Sequence, residues 1–399
     1  MEDVTERFYR LTSYVRHYAW GMRRHGDTVP YIAELLGEDP GKNIPWAELW
    51  IGAHPSLPSA IQLPGGASER LDTFLAANGE RALGQLPPAL AATGLPFLLK
   101  VLSCERALSI QSHPDLETAR RLHDADPAHY PDANHKPEVM LAITPFEAMA
   151  GLRPLDEALA DIRAVHALAP WHRVSAEARE LTLRVLCETL LNLPSSLVRT
   201  MLTDLHRELQ EQGERASDAA RLCLRLLDEN PCDRGVLFAF LLQHLRLAPG
   251  EALYIPANVP HAYLNGSGIE CMANSDNVIR AGLTPKFIDI RTLLATLDFS
   301  GRRLELSAGE ALPSGERLYA VPADEFRVSV VEGGHVVDLA GRRPVASLLL
   351  VLDGDCDFAG PDGDVQLGGR GTTWFRPACL TRGTVTVRPG ARLVIAEIG

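Results

Sequence analysis

The sequence predicts a mainly β protein with a helical insert. Three observations carry that reading: a β, α, β succession of textures, an internal repeat, and a length too great for one core. Chains beyond about 250–300 residues usually divide into several domains, and this one has 399 residues. Up to about residue 153 the chain is punctuated by Pro and Gly, and short apolar runs at 97–102 and 139–143 read as strands. Between Leu155 and Arg246 the texture turns helical. Leu197, Met201, Leu205 and Leu209 recur at four-residue steps behind Pro194 and a capping pair, Ser195 and Ser196. Ser217 is placed to cap a helix over 218–227, which Pro231 after Asn230 stops. From residue 247 onward strand-like runs and Gly turns return, so the helical block interrupts or separates β domains.

The repeat sharpens this outline. Gly250, Pro256 and His261 share their mutual spacing with Gly371, Pro377 and Arg382, at an offset of 121 residues (371 − 250). Two copies of one β unit follow. The first copy, Gly250-x5-Pro256-x-Asn258-x2-His261-x3-Asn265, resembles the second motif of cupins, where a Gly turn, a strand and a Pro-led hairpin carry a histidine to the mouth of a small jelly-roll barrel. Asn258 stands where that motif prefers Gly, and Asn is the usual non-Gly residue at positive φ. The resemblance implies two cupin-like jelly-roll barrels plus an all-α domain. Residues 1–154 and 247–300 would form the catalytic barrel, 155–246 the helical domain, and 301–399 a C-terminal barrel without a metal site. His261 can ligate a metal, whereas the guanidinium of Arg382 has no free lone pair.

Charge and composition narrow the partners. With 39 Lys+Arg against 51 Asp+Glu the formal net charge is −12, which disfavours nucleic acid. The opening Met1-Glu2-Asp3-Val4-Thr5 has no basic n-region, so no secretory signal is expected. No apolar run approaches the roughly 18 residues of a membrane span; the longest, at 348–352 and 236–242, suit a strand and a buried helix. Seven cysteines without a CxxC pair suit reduced thiols and a cytoplasmic location, and they argue against cysteine ligation of a metal.

The densest set of ligand-capable side chains lies at Gln111-Ser112-His113-Pro114-Asp115 and Asn134-His135-Lys136-Pro137-Glu138. Residues two apart on a strand face the same way, so Gln111 would project with His113, and Lys136 with Glu138. Adding His261 gives two imidazoles, a carboxylate and an amide oxygen, a set that suits Zn²⁺; Mn²⁺, Co²⁺ and Fe²⁺ tolerate similar ligands. Asp115 competes with Gln111, but the segment after Asp115 reads as a helix whose N-cap would occupy that carboxylate. His135 has the opposite parity to Glu138, which turns it away from the metal.

These blocks belong to a longer pattern. Tyr18-Ala19-Trp20-Gly21, Ala47-Glu48-Leu49-Trp50-Ile51-Gly52-Ala53-His54-Pro55, the stretch 108–115, Asn134-His135-Lys136-Pro137-Glu138, Pro260-His261-Ala262-Tyr263 and the run 270–286 recur together. In these the chain resembles type I mannose-6-phosphate isomerases (phosphomannose isomerases) along nearly its whole length. The resemblance implies one Zn²⁺ per chain on Gln111, His113, Glu138 and His261, the four already singled out. It also implies interconversion of mannose 6-phosphate and fructose 6-phosphate, by proton transfer between C2 and C1 through a metal-stabilised cis-enediolate. The expected partner is a small-molecule sugar phosphate, with no nucleic acid and no membrane, and the chain is expected to be a monomer. Ser112 departs from the Ala of many members.

Such a reaction needs a base and a charge stabiliser, because a C–H beside a carbonyl is a very weak acid. Lys136 is one candidate base, since burial and a nearby dication favour a neutral amine; its other readings are a phosphate-binding ammonium and a surface lysine. Glu270, in an apolar stretch, is the competing base or else a structural partner of Arg280. Arg280 matches the family's active-site arginine and can fork onto enediolate or phosphate oxygens. Lys100 and Ser109 are the remaining phosphate contacts, with a snorkelling edge lysine as the plainer reading of Lys100. Trp20 shapes the sugar pocket or packs in the core. Two other classes fit the same residues: a metal-dependent cupin oxygenase on His113, Glu138 and His261, and a non-enzymatic bicupin that binds sugar phosphate.

Overall fold

The computed structural model describes residues 4–88, 90, 94–174 and 177–399; Met1, Glu2 and Asp3, read above as lacking a secretory signal, lie outside them. Among the described residues the fold is mainly β with a block of helices, as the texture predicts. Its strands form sheets of eleven, nine and four members, and none of these closes into a ring of hydrogen-bonded strands. No helix among them is long and apolar enough to cross a membrane.

The 13-residue strand His261–Ala273 is the hub of the eleven-stranded sheet. Its second half pairs with Phe97–Cys104 and Glu138–Ala142, and its first half with Phe146–Leu152 and Ile110–Ser112. Gly266 stands where the partners change. Its φ is 110°, and a Cβ there would come within 2.5 Å of the Pro145 carbonyl oxygen, so only glycine lets the strand turn from one set of neighbours to the other.

The N-terminal strand Tyr9–Thr12 inserts between Thr373–Arg376 and Ala60–Gln62, which ties the start of the chain into the nine-stranded sheet with the C-terminal strands. Those two sheets face each other across one core. Leu49, Ile51, Leu99, Val101, Leu141, Ile269 and Cys271 pack there against Leu348, Leu350, Phe375 and Val394.

The repeat is visible in one pair of strands. Ala252–Ile255 and Thr373–Arg376 stand at the 121-residue offset found in the sequence, behind Gly250 (φ 89°) and Gly371 (φ 79°). Asn258 adopts φ 66°, as its place in the motif requires. His261 is fully buried and Arg382 is exposed, so the second copy turns its side chain to solvent.

Two details of the helical block differ from the expectation. Helix Ser195–Gln212 begins at Ser195 itself, with Pro194 in the N-cap position and no side-chain cap, so neither serine caps it. Its buried stripe is Val198, Leu202, Leu205 and Leu209, whereas Leu197 is exposed and Met201 half-buried. A strict four-residue step drifts about 40° per repeat around an α-helix, so it cannot stay on one face. Ser217 does cap Asp218–Glu229, accepting from the Ala220 amide at 3.2 Å. The 236–242 run is buried as expected, in a 3₁₀ helix, Arg234–Phe240, that leads into the strand Leu242–Leu247.

Charged groups bind this block to the sheet. Asp218 accepts from Arg246 Nη2 at 2.7 Å and His244 Nδ1 at 3.0 Å, and Glu147 is paired with Arg225 and His244. His244, 3.7 Å away, and then Arg225, against partial burial, hold the Glu147 carboxyl at about 2. The Arg246 hydrogen bond does the same for Asp218, also at about 2. Both lie below their ordinary values of 4.5 and 3.8, so their stabilisation is present above that range and is lost as pH falls through it toward 2. The midpoint of thermal unfolding is expected to drop across that window, and less steeply in Glu147→Gln. A pH series of circular dichroism melts with parallel slopes for the two proteins would contradict this.

Candidate active site

Strand alternation builds the site on the face of the hub sheet opposite the shared core. Lys100 stands in register with Trp50 on one side and Glu270 on the other, and Glu138 stands opposite Met272. Residues of that parity turn away from the core, and they include Glu48, Lys100, Glu138 and Glu270, all buried.

His113, Glu138 and His261 converge so that their ligand atoms lie within 4.8 Å of one another. His113 Nδ1 donates to the Asn277 carbonyl at 2.9 Å, and His261 Nδ1 donates to the Val259 carbonyl at 3.0 Å. With the proton held at Nδ1, each ring turns its Nε2 lone pair inward. These Nε2 atoms lie 3.3 and 3.1 Å from the two oxygens of Glu138. Burial, then Lys136, depresses the His113 pKa to about 4, which keeps that imidazole neutral. Burial alone would protonate Glu138, but Lys136 at 3.5 Å leads the groups that hold it well below the usual carboxylate range. Lone pairs thus face a carboxylate, and His113 Nε2, His261 Nε2 and Glu138 Oε2 are buried without a hydrogen-bond partner. A cation resolves that arrangement, so the residues fit a metal.

Gln111 lies on the strand Ile110–Ser112, opposite His261 on one side and Arg280 on the other. His113 is the first residue beyond that strand, and Lys136 precedes the strand that starts at Glu138, so neither pair meets through strand alternation alone. Asp115 is taken up as expected: it caps Leu116–Ala125 through the Thr118 amide at 2.8 Å and accepts from Asn258 Nδ2 at 3.1 Å.

A cavity of about 550 Å³ opens beside this cluster, and Trp20, Lys100, Ser109, Gln111, Lys136, Glu270 and Arg280 all line it. Lys100 Nζ is 2.9 Å from Glu270 and 4.0 Å from Glu48, and 5.1 Å from the Trp50 ring centre. Burial opposes its charge, but Glu270 and Glu48 outweigh burial and raise its pKa. Glu270 is raised by burial, against the pull of Lys100. The two carboxylates account for the rise at Lys100, and burial accounts for the rise at Glu270. Glu270 therefore pairs with Lys100 and not with Arg280. Arg280 has no carboxylate partner among the described residues, and burial lowers its pKa. Trp20 stacks on Tyr18, with centroids 5.9 Å apart and planes at 25°.

Sequence reading missed Glu48, Trp50 and Tyr263 as parts of the site. Trp50 Nε1 donates to Glu48 at 2.5 Å, and Tyr263 donates to Glu138 Oε1 at 2.9 Å. The signal was available, since Tyr263 lies two residues after His261 and Glu48 two before Trp50. It also missed the loop staple. Asp132 Oδ1 accepts from Ser275 Oγ at 2.9 Å and Asn277 Nδ2 at 3.1 Å, which fixes the carbonyl that orients His113.

Comparison with known proteins agrees with this geometry. Residues 8–155 match the family model "Phosphomannose isomerase type I, catalytic domain". The chain is 36% identical to the mannose-6-phosphate isomerase of Bos taurus, over 90% of each chain. It is 37% identical to mannose-6-phosphate isomerase 1 of Arabidopsis thaliana, over 89% of this chain and 86% of that one. Among solved structures, a mutant phosphomannose isomerase from Salmonella typhimurium superposes with a TM-score of 0.86 at 30% identity, covering 98% of this chain and 99% of that one. A mannose 6-phosphate isomerase bound with zinc and yttrium superposes with a TM-score of 0.85, also at 30% identity and with the same coverage. The chain belongs to the type I phosphomannose isomerases, a family of aldose-ketose isomerases.

Proposed function

We propose that the chain interconverts mannose 6-phosphate and fructose 6-phosphate by proton transfer between C2 and C1, with one Zn²⁺ held by Gln111, His113, Glu138 and His261. The observation that carries this reading is the buried set of ligand atoms without hydrogen-bond partners on His113, Glu138 and His261, close to Gln111 and Lys136, which line a cavity together with Glu270 and Arg280. A bound Zn²⁺ supplies Lewis acidity and a fixed point for substrate oxygens. Lys136, in the neutral-amine form that burial and a dication beside Glu138 would favour, takes the proton from one carbon and returns it to the next, while Glu270, its competitor, is engaged with Lys100 at 2.9 Å. Arg280, free of any carboxylate among the described residues, steadies the cis-enediolate or forks onto phosphate oxygens. Ser109 and Lys100 add phosphate contacts, and Trp20, stacked on Tyr18, forms a wall for the sugar.

The same reading treats 1–154 with 247–300 and 301–399 as cupin-like jelly-roll units and 155–246 as an all-α domain, with two exchanges at the edges: Leu242–Leu247 pairs as a strand with Phe146–Leu152, and Tyr9–Thr12 and Ala60–Gln62 join the sheet of the C-terminal strands. The equal spacing of Ala252–Ile255 and Thr373–Arg376 supports it. It places the protein in the cytoplasm, in line with its free cysteines, and takes it as a monomer.

The test is a coupled assay for fructose 6-phosphate formed from mannose 6-phosphate, with and without chelator. Turnover is expected in the native protein, with loss on exhaustive chelation and recovery on adding Zn²⁺. Turnover untouched by chelation would sink the metal reading, and no turnover at all would sink the substrate.

A further inference from the structure

The segment that delivers Lys136 and Glu138 is held from two sides. On the inner side Asn134 O accepts from Asn277 Nδ2 at 2.9 Å and Ser275 Oγ at 3.1 Å, and Pro137 O accepts from the Ala273 amide at 3.0 Å. On the outer side the hold comes from the far end of the chain. His135 Nε2 donates to Glu325 Oε1 at 2.5 Å, across 190 residues. Glu325 lies between the C-terminal strands Glu316–Tyr319 and Arg327–Glu332 and is only 7% exposed, and its second oxygen is buried without a partner. Burying a carboxylate is costly unless it is paired, so His135 is the contact that makes this position tenable. His135 is the residue immediately before Lys136.

We propose that Glu325 is a positioning residue: the C-terminal β unit holds His135 through it and so fixes where Lys136 stands in the cavity. The inference rests on the reading of Lys136 as a group that acts on substrate. It gives the C-terminal unit, whose own motif position is the exposed Arg382, a part in the reaction without any contact to the substrate. A displacement of about 1 Å at an acting group can cost up to about 10²-fold in rate.

The experiment compares Glu325→Ala with Glu325→Gln, which keeps an acceptor for His135. Steady-state isomerase kinetics and hydrogen exchange of the 131–138 amides are both measured well below the melting temperature. In Glu325→Ala, kcat is expected to fall about tenfold with KM within about twofold, and exchange over 131–138 to quicken about tenfold or more. Glu325→Gln restores most of both. Unchanged exchange in Glu325→Ala overturns the proposal, whatever the activity. Quickened exchange with unchanged kcat also overturns it, leaving Glu325 a purely structural residue. If the native protein fails to turn over mannose 6-phosphate, the functional reading falls, while the exchange data still decide whether Glu325 clamps the loop.

Discussion

Lys136→Met is expected to lower kcat by about 10² or more with KM little changed, the usual scale for removing a general base. Methionine keeps much of the side-chain length and its apolar stem, so the 8%-exposed position stays filled while the proton acceptor is lost. What distinguishes the roles is the split between kinetic constants. A rise confined to KM assigns Lys136 to phosphate binding, because uniform binding of ground and transition states shows in KM alone. Unchanged kcat and KM would return the proton transfer to Glu270. The variant also removes the ammonium 3.5 Å from Glu138 Oε2, so metal content has to be measured beside the kinetics.

Glu138→Gln is expected to cost still more, about 10³-fold or beyond. Several kcal/mol of charge stabilisation depend on metal retention, and each 1.36 kcal/mol is tenfold in rate. Zn²⁺ held by the folded site is expected to raise the native melting temperature, corresponding to at most about 2.7 kcal/mol of stability when free metal is 100 times Kd. In the variant that rise should largely disappear while the far-UV spectrum is kept. Equal Zn²⁺-induced stabilisation in the two proteins, or retained turnover in the variant, would remove Glu138 from the ligand set.

The parts of this molecule that were legible in the sequence are those governed by short-range rules. Asn258 could be read as a positive-φ position from the motif spacing, Asp115 and Ser217 as caps from the residues that follow them, and His113, Glu138 and His261 as candidate ligands from residue type and place in the motif, and these three do converge. The failures share a cause as well. Ser195 and Ser196 resemble a capping pair, but which residue leaves the helical conformation decides the cap, and here it is Pro194. The Glu48, Lys100 and Glu270 cluster depends on the register of three strands, which periodicity does not supply. The contact of His135 with Glu325 is set by how two distant sheets pack, and nothing near either residue announces it.

The hub strand has a consequence for how the enzyme fails. His261 and Glu270 ride on the same continuous strand, and its partners bring Lys100, Glu138 and Gln111 into register with it. A slip of one residue in that strand would flip both side chains toward the opposite face together, and would drive Ile269 and Cys271 out of the shared core at the same step. Misassembly is therefore not graded: a molecule either has the whole site or lacks it and loses its core as well. In an ageing or heat-stressed preparation, lost activity should measure the number of dead molecules, with the survivors working at full speed.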